Sequence, residues 1–576
     1  MNTGLPAFHF YVALTLFTGG TLVRVAFSCC RTRRPGSDQM HDGVRALDSI
    51  ATSESGRGVR VCVILDLIML SVRLCRTFTL VFFVAGCPFV ASSEVRLPHL
   101  LSSHMVLQRD APAHIWGWSD PGERVTVTFH GVSRSGIGDR LGKWSVYLPP
   151  QPAGGPFPLT VAGTNTLVLD DVLVGDVWFA SGQSNMEMPL RGFRGAPLTD
   201  SAEEVQHAAH DNIRLLHLRQ SASSFPLRDN DASWTPCTPE TAGGFSAAAY
   251  FFGRDLAQRE HVPVGLIDST WGGTVVEAWI SLDAVSADAS LMPAFATRAR
   301  MMDSQADMKE ILAAERREDD EATKAGMPAP SHTWHPDPST WAPAALFNGM
   351  VAPATPMTIR GVIWYQGESN SRLDFAPMYE RLFPTLIADW RRQWHEGDFP
   401  LVFVQIANFT SNATESWATI REAQRRTLVV DNTAMVVTID IGNPDNVHPA
   451  DKQTVGARLA LAARALSYGE KVEYSGPLFR SVTVEGGALR LWFDHVSGGL
   501  VAKDGAMTGF EVAGEDRHFV KAEARIDGVN VVVSSLEVPA PRYARYGWAN
   551  APVASLFGST GLPASPFTSE DEIPIP

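Results

Sequence analysis

From Glu94 to about Val161 the chain alternates apolar and polar residues in short runs: HMVLQRD, APAHIWGW, ERVTVTFHG and KWSVYLPP. Turn signals such as Asp120-Pro-Gly and Gly154-Gly-Pro separate them, which predicts a small antiparallel β domain. The pattern then changes. Largely apolar runs at Asp176–Ala180, Ile213–Leu218, Val264–Asp268, Ile359–Tyr365, Leu401–Ile406 and Ala434–Ile439 have the length and composition of buried strands. Helical periodicity falls between several of them, at Phe245–Arg259, Met378–Trp394, Ser416–Thr427 and Ala450–Leu466. Strands alternating with helices predict an α/β fold whose mostly parallel sheet is covered on both faces. The Ala-, Met- and charge-rich stretch Ala287–Thr323 reads as one further helix with a solvated face. After about Tyr474 the two-residue period returns in SVTVEGGALRLWF, GFEVAG, FVKAEARIDG and NVVVSS, ahead of a Pro-rich tail.

These changes of pattern divide the chain into a segment 1–93, a small β domain 94–165, an α/β body 166–470 and a C-terminal β module with tail 471–576. Within the first segment, Arg73 and Arg76 precede the short apolar stretch Thr77–Ala85 and a run of small residues, the layout of a signal peptide at about 69–92. Val84-Ala85-Gly86-Cys87 also has the form of a lipobox, in which Cys87 would be lipidated. The expectation is an exported protein, periplasmic or extracellular, cleaved near Ala91–Ser93 or anchored at Cys87. Residues 1–68 do not read as folded protein, and a start at Met69 is expected; a membrane-spanning stretch at Phe8–Phe27 is the competing reading.

The net charge of −14 excludes the cationic face that a nucleic-acid binder needs. Five of the six cysteines precede residue 94, so Cys237 stands alone in the body, without the partner a disulfide or a Cys-rich metal cage requires.

Candidate chemistry lies where strands run into polar turns. Val177-Trp-Phe-Ala-Ser-Gly-Gln-Ser184-Asn-Met-Glu puts a serine after an apolar strand, at the sheet end where open α/β folds bind ligands. The amides of a following helical turn would stabilise an oxyanion. A serine nucleophile needs a base, and the base needs an acceptor that fixes its tautomer. Asp445 and His448, three residues apart in Asp440-Ile-Gly-Asn-Pro-Asp-Asn-Val-His-Pro, fit those roles, with Asp440 in reserve. Pro449 keeps His448 out of helical geometry and suits the first turn of the helix that follows. Asn370, in Ile363-Trp-Tyr-Gln-Gly-Glu-Ser-Asn, offers a side-chain amide donor, and Trp271-Gly272-Gly273 lets a backbone amide approach the same oxygen. Trp178, Trp271, Trp279 and Trp364 read mainly as core, His332 and His335 as poor metal ligands, and Lys452 and Arg458 as servants of the helix after His448.

GQSNM, WGGT, WYQGESN and DNVHPADK, in that order, resemble the sialate O-acetylesterase family of bacterial type, a branch of the SGNH (GDSL-like) hydrolases. The similarity extends from about Glu94 through LPHLLSSHMVLQRDAP to the closing GLPASPF. It implies a three-layer α/β/α, flavodoxin-like sandwich with flanking antiparallel β modules. It also implies Ser184 as nucleophile, His448 as base and Asp445 as orienting acid. The oxyanion donors would be the Ser184 amide, Gly273 (or Gly272) and the Asn370 side chain, with no metal or organic cofactor. The expected substrate is an acetylated carbohydrate, either an O-acetylated sialic acid or acetylated xylan or another glycan; a carbohydrate-binding protein with an inactive core is the remaining alternative.

Overall fold

The computed structural model describes residues 94–295, 305–328, 330, 332, 338–505 and 507–573, together with the backbone of two strands near the N-terminus. Those two strands, Phe10–Thr18 and Thr21–Cys29, pair antiparallel, so the stretch expected as a possible membrane span is extended rather than helical. The signal-peptide segment 69–92, with Cys87, lies outside the described residues.

The body is organised by a sheet whose strands we number β1 (Thr166–Gly182), β2 (His210–His217), β3 (Thr235–Cys237), β4 (Val264–Thr270), β5 (Gly361–Tyr365), β6 (Leu401–Val404) and β7 (Thr433–Val436). Their order across the sheet is β3-β2-β4-β1-β5-β6-β7. All neighbours are parallel except the antiparallel edge pair β3–β2. Helices cover the sheet, as parallel strands buried on both faces require. They include α1 (Ser184–Glu187), α2 (Ala247–Glu260), α3 (Tyr379–Trp394), α4 (Trp417–Arg426) and α5 (Lys452–Ser467). Val177, Phe179, Leu266, Ile267, Val362, Ile363, Val402 and Phe403 are solvent-free on this sheet. Each such aliphatic side chain contributes roughly 1.5–3 kcal/mol by leaving water. Trp178, Trp279 and Trp364 are also fully buried, and Trp364 meets the edges of Trp279 and Trp390. These three are core, as expected.

The expected helix across Ala287–Thr323 is not continuous. Leu282–Ala287 forms a short helix, Ala289–Leu291 a 3₁₀ turn, and a long helix occupies Gln305–Lys324. Pro293 lacks the amide hydrogen that a helix running through it would need. The small β domain does not end at residue 165 either. The first half of β1 pairs antiparallel with Gly154–Ala162, while its second half enters the parallel sheet. One 17-residue strand thus carries the chain from the β domain to the turn at Ser184. Buried residues of both regions form one continuous core. The C-terminal module instead has its own core, around Leu489, Leu491, Phe510, Val531, Tyr546 and Phe567, between two four-stranded antiparallel sheets.

Candidate active site

The chain leaves the central strand β1 toward β2 on one side and later leaves β4 toward β5 on the other. That reversal opens a crevice at the carboxyl ends of β4, β1 and β5. Gly182, Thr270 and Tyr365 lie level across these three strands, so the residues that follow them share one rim. Ser184 comes after β1, Gly272 and Gly273 after β4, and Asn370 after β5.

Gly182 makes the turn possible. Its φ is +138°, and a Cβ there would sit 2.1 Å from the Tyr365 carbonyl oxygen, so a side chain is excluded on both counts. Gln183 then locks the turn to the neighbouring strand. Its amide donates to the Tyr365 carbonyl, and its Oε1 accepts from the amides of Gly367 and Ser369. Ser184 opens α1, where its amide has no intrahelical acceptor.

His448 arrives from the loop between β7 and α5. Its Nε2 lies 2.9 Å from the Ser184 Oγ, a contact between residues 264 positions apart. The loop is held by its own asparagines: Asn446 Oδ1 accepts from the His448 amide and Asn443 Oδ1 from the Asp445 amide. Phe193 covers the imidazole edge-on, with ring centroids 5.2 Å apart. Burial, followed by the nearby positive charge of Lys452, lowers the His448 pKa to about 4, so the ring is a neutral proton acceptor at physiological pH. Pro449 does not enter the helix. Asp451 is the N-cap, its carboxylate accepting from the Thr454 amide, and α5 starts at Lys452.

Among the described residues the Asp445 carboxylate makes no hydrogen bond to His448; the side chain is exposed. Asp440, the reserve candidate, is committed elsewhere, accepting from both terminal nitrogens of Arg458. The structure therefore brings Ser184 and His448 together and leaves both acids outside that contact.

Asn370 is buried at 1% exposure. Its Oδ1 accepts from the Val276 amide and Gln366 Nε2, which fixes the orientation of the amide group. Its Nδ2 donates one hydrogen to Glu277. Of the two glycines, Gly272 gives its amide to the half-buried Glu187 carboxylate, whereas the Gly273 carbonyl accepts from Trp341 and, among the described residues, its amide has no protein acceptor. That difference favours Gly273 as the donor.

Beside the Ser184–His448 pair lies a cavity of about 570 Å³, lined by Glu187, Phe193, His217, Arg219, Gln220 and Asp231 among others. Burial raises the Glu187 pKa, while Gln220 donates to its carboxylate. The hydrogen bond from His217 to Asp268, 2.8 Å, raises the imidazole pKa. Sequence spacing alone did not single out this group. Nor did it single out Asn185 and Glu368, and it read Lys452 as serving the helix after His448; the three form a buried cluster behind Ser184. Arg360 and Arg372 are occupied, the first stacked on Tyr468 and the second paired with Asp374; Arg194 is exposed in the turn beside Phe193. Trp271 is half-buried against the core, and His332 bonds to Asp319, while His335 lies outside the described residues.

Comparison with known proteins agrees with this architecture. A family described as carbohydrate esterase, sialic acid-specific acetylesterase, matches residues 332–465. The sialate O-acetylesterase of Mus musculus is 31% identical over 527 residues, covering 82% of this chain and 94% of its own. That of Homo sapiens is 33% identical, covering 66% of this chain and 73% of its own. The crystal structure of a carbohydrate acetylesterase from Xanthomonas citri superposes with a TM-score of 0.71 at 37% identity, covering 83% of this chain and 100% of its own.

Proposed function

Because the chain belongs to the sialate O-acetylesterase family of carbohydrate esterases, we propose that it removes O-acetyl groups from sugars, with Ser184 as nucleophile and His448 as general base. The observation that carries this reading is the 2.9 Å contact between Ser184 Oγ and a buried imidazole kept neutral by its surroundings. His448 Nε2 takes the hydroxyl proton as Oγ attacks the acetyl carbonyl. The amides of Ser184 and Gly273 and the Nδ2 group of Asn370 receive the developing oxyanion. Collapse expels the sugar alkoxide, which His448 protonates, leaving an acetyl-enzyme that water cleaves by the same sequence to acetate. Asp445 is assigned the orienting role in the substrate-bound loop, since catalytic contacts of an unliganded site often tighten only in the complex.

The sugar is assigned to the cavity beside the nucleophile. Glu187, His217 and Gln220 suit hydroxyl recognition, while Arg219 on its wall pairs with Asp231. The basic residues and apolar stretch at about 69–92 support export to the periplasm or the extracellular space, with Cys87 as the lipid site of an anchored form; the mass of the mature N-terminus tests this.

Ser184→Ala should abolish p-nitrophenyl acetate turnover and fluorophosphonate labelling while leaving the melting temperature near that of the parent; retained labelling would reject the assignment. Acetate release from a panel of O-acetylated sialic acids and acetylated xylo-oligosaccharides decides the substrate.

A further inference from the structure

Behind the Ser184–His448 pair run three buried polar side chains that the acyl-transfer scheme leaves unused. Lys452 and Asn185 are each 1% exposed, and Glu368 is 7% exposed. Lys452 Nζ donates to Asn185 Oδ1 at 2.6 Å, and Asn185 Nδ2 donates to Glu368 Oε1 at 2.6 Å. The order donor, amide, acceptor suits an ammonium at one end and a carboxylate at the other. The same Nδ2 also donates to the Val447 carbonyl at 3.0 Å. Asn185 follows the nucleophile in sequence, and Val447 precedes the base. One amide thus joins the nucleophile turn, the loop bearing the base, the turn after β5 and the first residue of α5.

A buried ammonium is costly unless it is compensated. Here the compensation is the Asn185 oxygen and the face of Tyr365, whose ring centroid is 5.4 Å from Nζ. A hydrophobic residue would fill the same place on α5 without that cost, so packing alone gives no reason for a lysine.

We propose that Lys452 is a positioning residue for the acyl-transfer reaction: through Asn185 it holds the Ser184 turn against the His448 loop. This rests on the esterase reading of Ser184 and His448. The charged groups around the pair are consistent with it. Lys452 is the charge that depresses the His448 pKa after burial itself. Glu368 and Glu187, on the turn after β5 and on α1, both have their pKa raised by burial. Asp451 and Glu368 support the ammonium, whose pKa burial nevertheless lowers to about 7.

The test compares the parent with Lys452→Met and with the double variant Lys452→Met/Glu368→Gln, which removes both buried charges together. Fluorophosphonate labelling, melting temperature and the pH profile of kcat and KM for p-nitrophenyl acetate are read for each. The expected result is a kcat lower by ~10², the loss typical of a misplaced reacting group. KM should change little, and the acid limb of kcat/KM should move up by roughly one pH unit. Both effects should persist in the double variant, which serves as the readout if Lys452→Met alone does not fold. A folded variant with parental kcat and an unmoved acid limb overturns the proposal, as does a change in melting temperature alone. A parent that neither labels nor turns over refutes the underlying esterase reading instead, a result recognisable before any variant is made.

Discussion

Asp440 and Arg458 face each other through paired hydrogen bonds of 2.7 and 2.6 Å, and the same guanidinium donates to the Val437 carbonyl at 2.7 Å. The pair fastens the exit of β7 to α5 and so sets the base of the His448 loop. Asp440→Asn should therefore act on stability, lowering the melting temperature while leaving kcat within about threefold, because it breaks a partly buried charge-assisted pair away from the reacting atoms. Asp445→Asn should do the reverse. If its carboxylate seats on the imidazole once substrate fills the site, kcat falls toward the ~10⁴ loss of a mis-set tautomer while the melting temperature holds. Steady-state rates and thermal melts of the two variants separate the roles, and an unaffected Asp445→Asn enzyme would leave Ser184 and His448 working as a dyad.

Asn370 is held by hydrogen bonds with Val276, Gln366 and Glu277. Its Nδ2 is therefore aimed by a rigid frame, which is what makes an oxyanion donor effective. Asn370→Ala should lower kcat for p-nitrophenyl acetate by ~10²–10³. KM should change much less, because the donor acts mainly on the charge that develops in the transition state. A parental kcat would remove Asn370 from the donor set.

The layered body was legible because its signals are strong: four of the helices lie within two residues of their expected limits. The domain boundary near residue 165 was not, although a trace of it exists. Exposure alternates through the first residues of β1 and becomes continuous burial from Val172, the mark of a strand passing from a two-sided sheet edge into a covered sheet. Ser184 and His448 were singled out through their motifs, whereas Lys452 was read only as serving its helix despite a usable signal. It shares the buried face of α5 with Val455 and Leu459 at helical spacing, and a lysine on that face calls for a partner. The direction of the Asp445 side chain had no such signal, since spacing in a loop does not determine where a carboxylate points.

Acid should separate activity from stability. His448 titrates near 4 when folded against 6.5 when free, so between those values the unfolded chain binds the extra proton. The stability contributed by keeping this ring neutral is complete above pH 6.5 and is lost as pH falls toward 4. Catalysis over the same interval keeps its neutral base. The enzyme should retain most of its kcat/KM at pH 5.5 while its melting temperature already declines. An activity that halves near pH 6.5 would contradict the depressed titration.

Arg421 tests how the C-terminal module supports the body. Fully buried on α4, it donates to the carbonyls of Ile406, Ala407, Ala549 and Asn550, joining the end of β6 to the C-terminal segment without any carboxylate. Desolvation pushes its pKa down to about 9. Arg421→Met would fill much of the volume but leave the carbonyl oxygens of Ile406, Ala407 and Ala549 short of a donor, while that of Asn550 keeps the Phe409 amide. Each unsatisfied buried group costs ~1–3 kcal/mol, so the loss should reach several kcal/mol, reduced by whatever water enters. Urea denaturation should show the drop together with an early transition in which the C-terminal module separates from the body. A variant as stable as the parent, unfolding in one step, would mean that the two halves cohere by apolar contact alone.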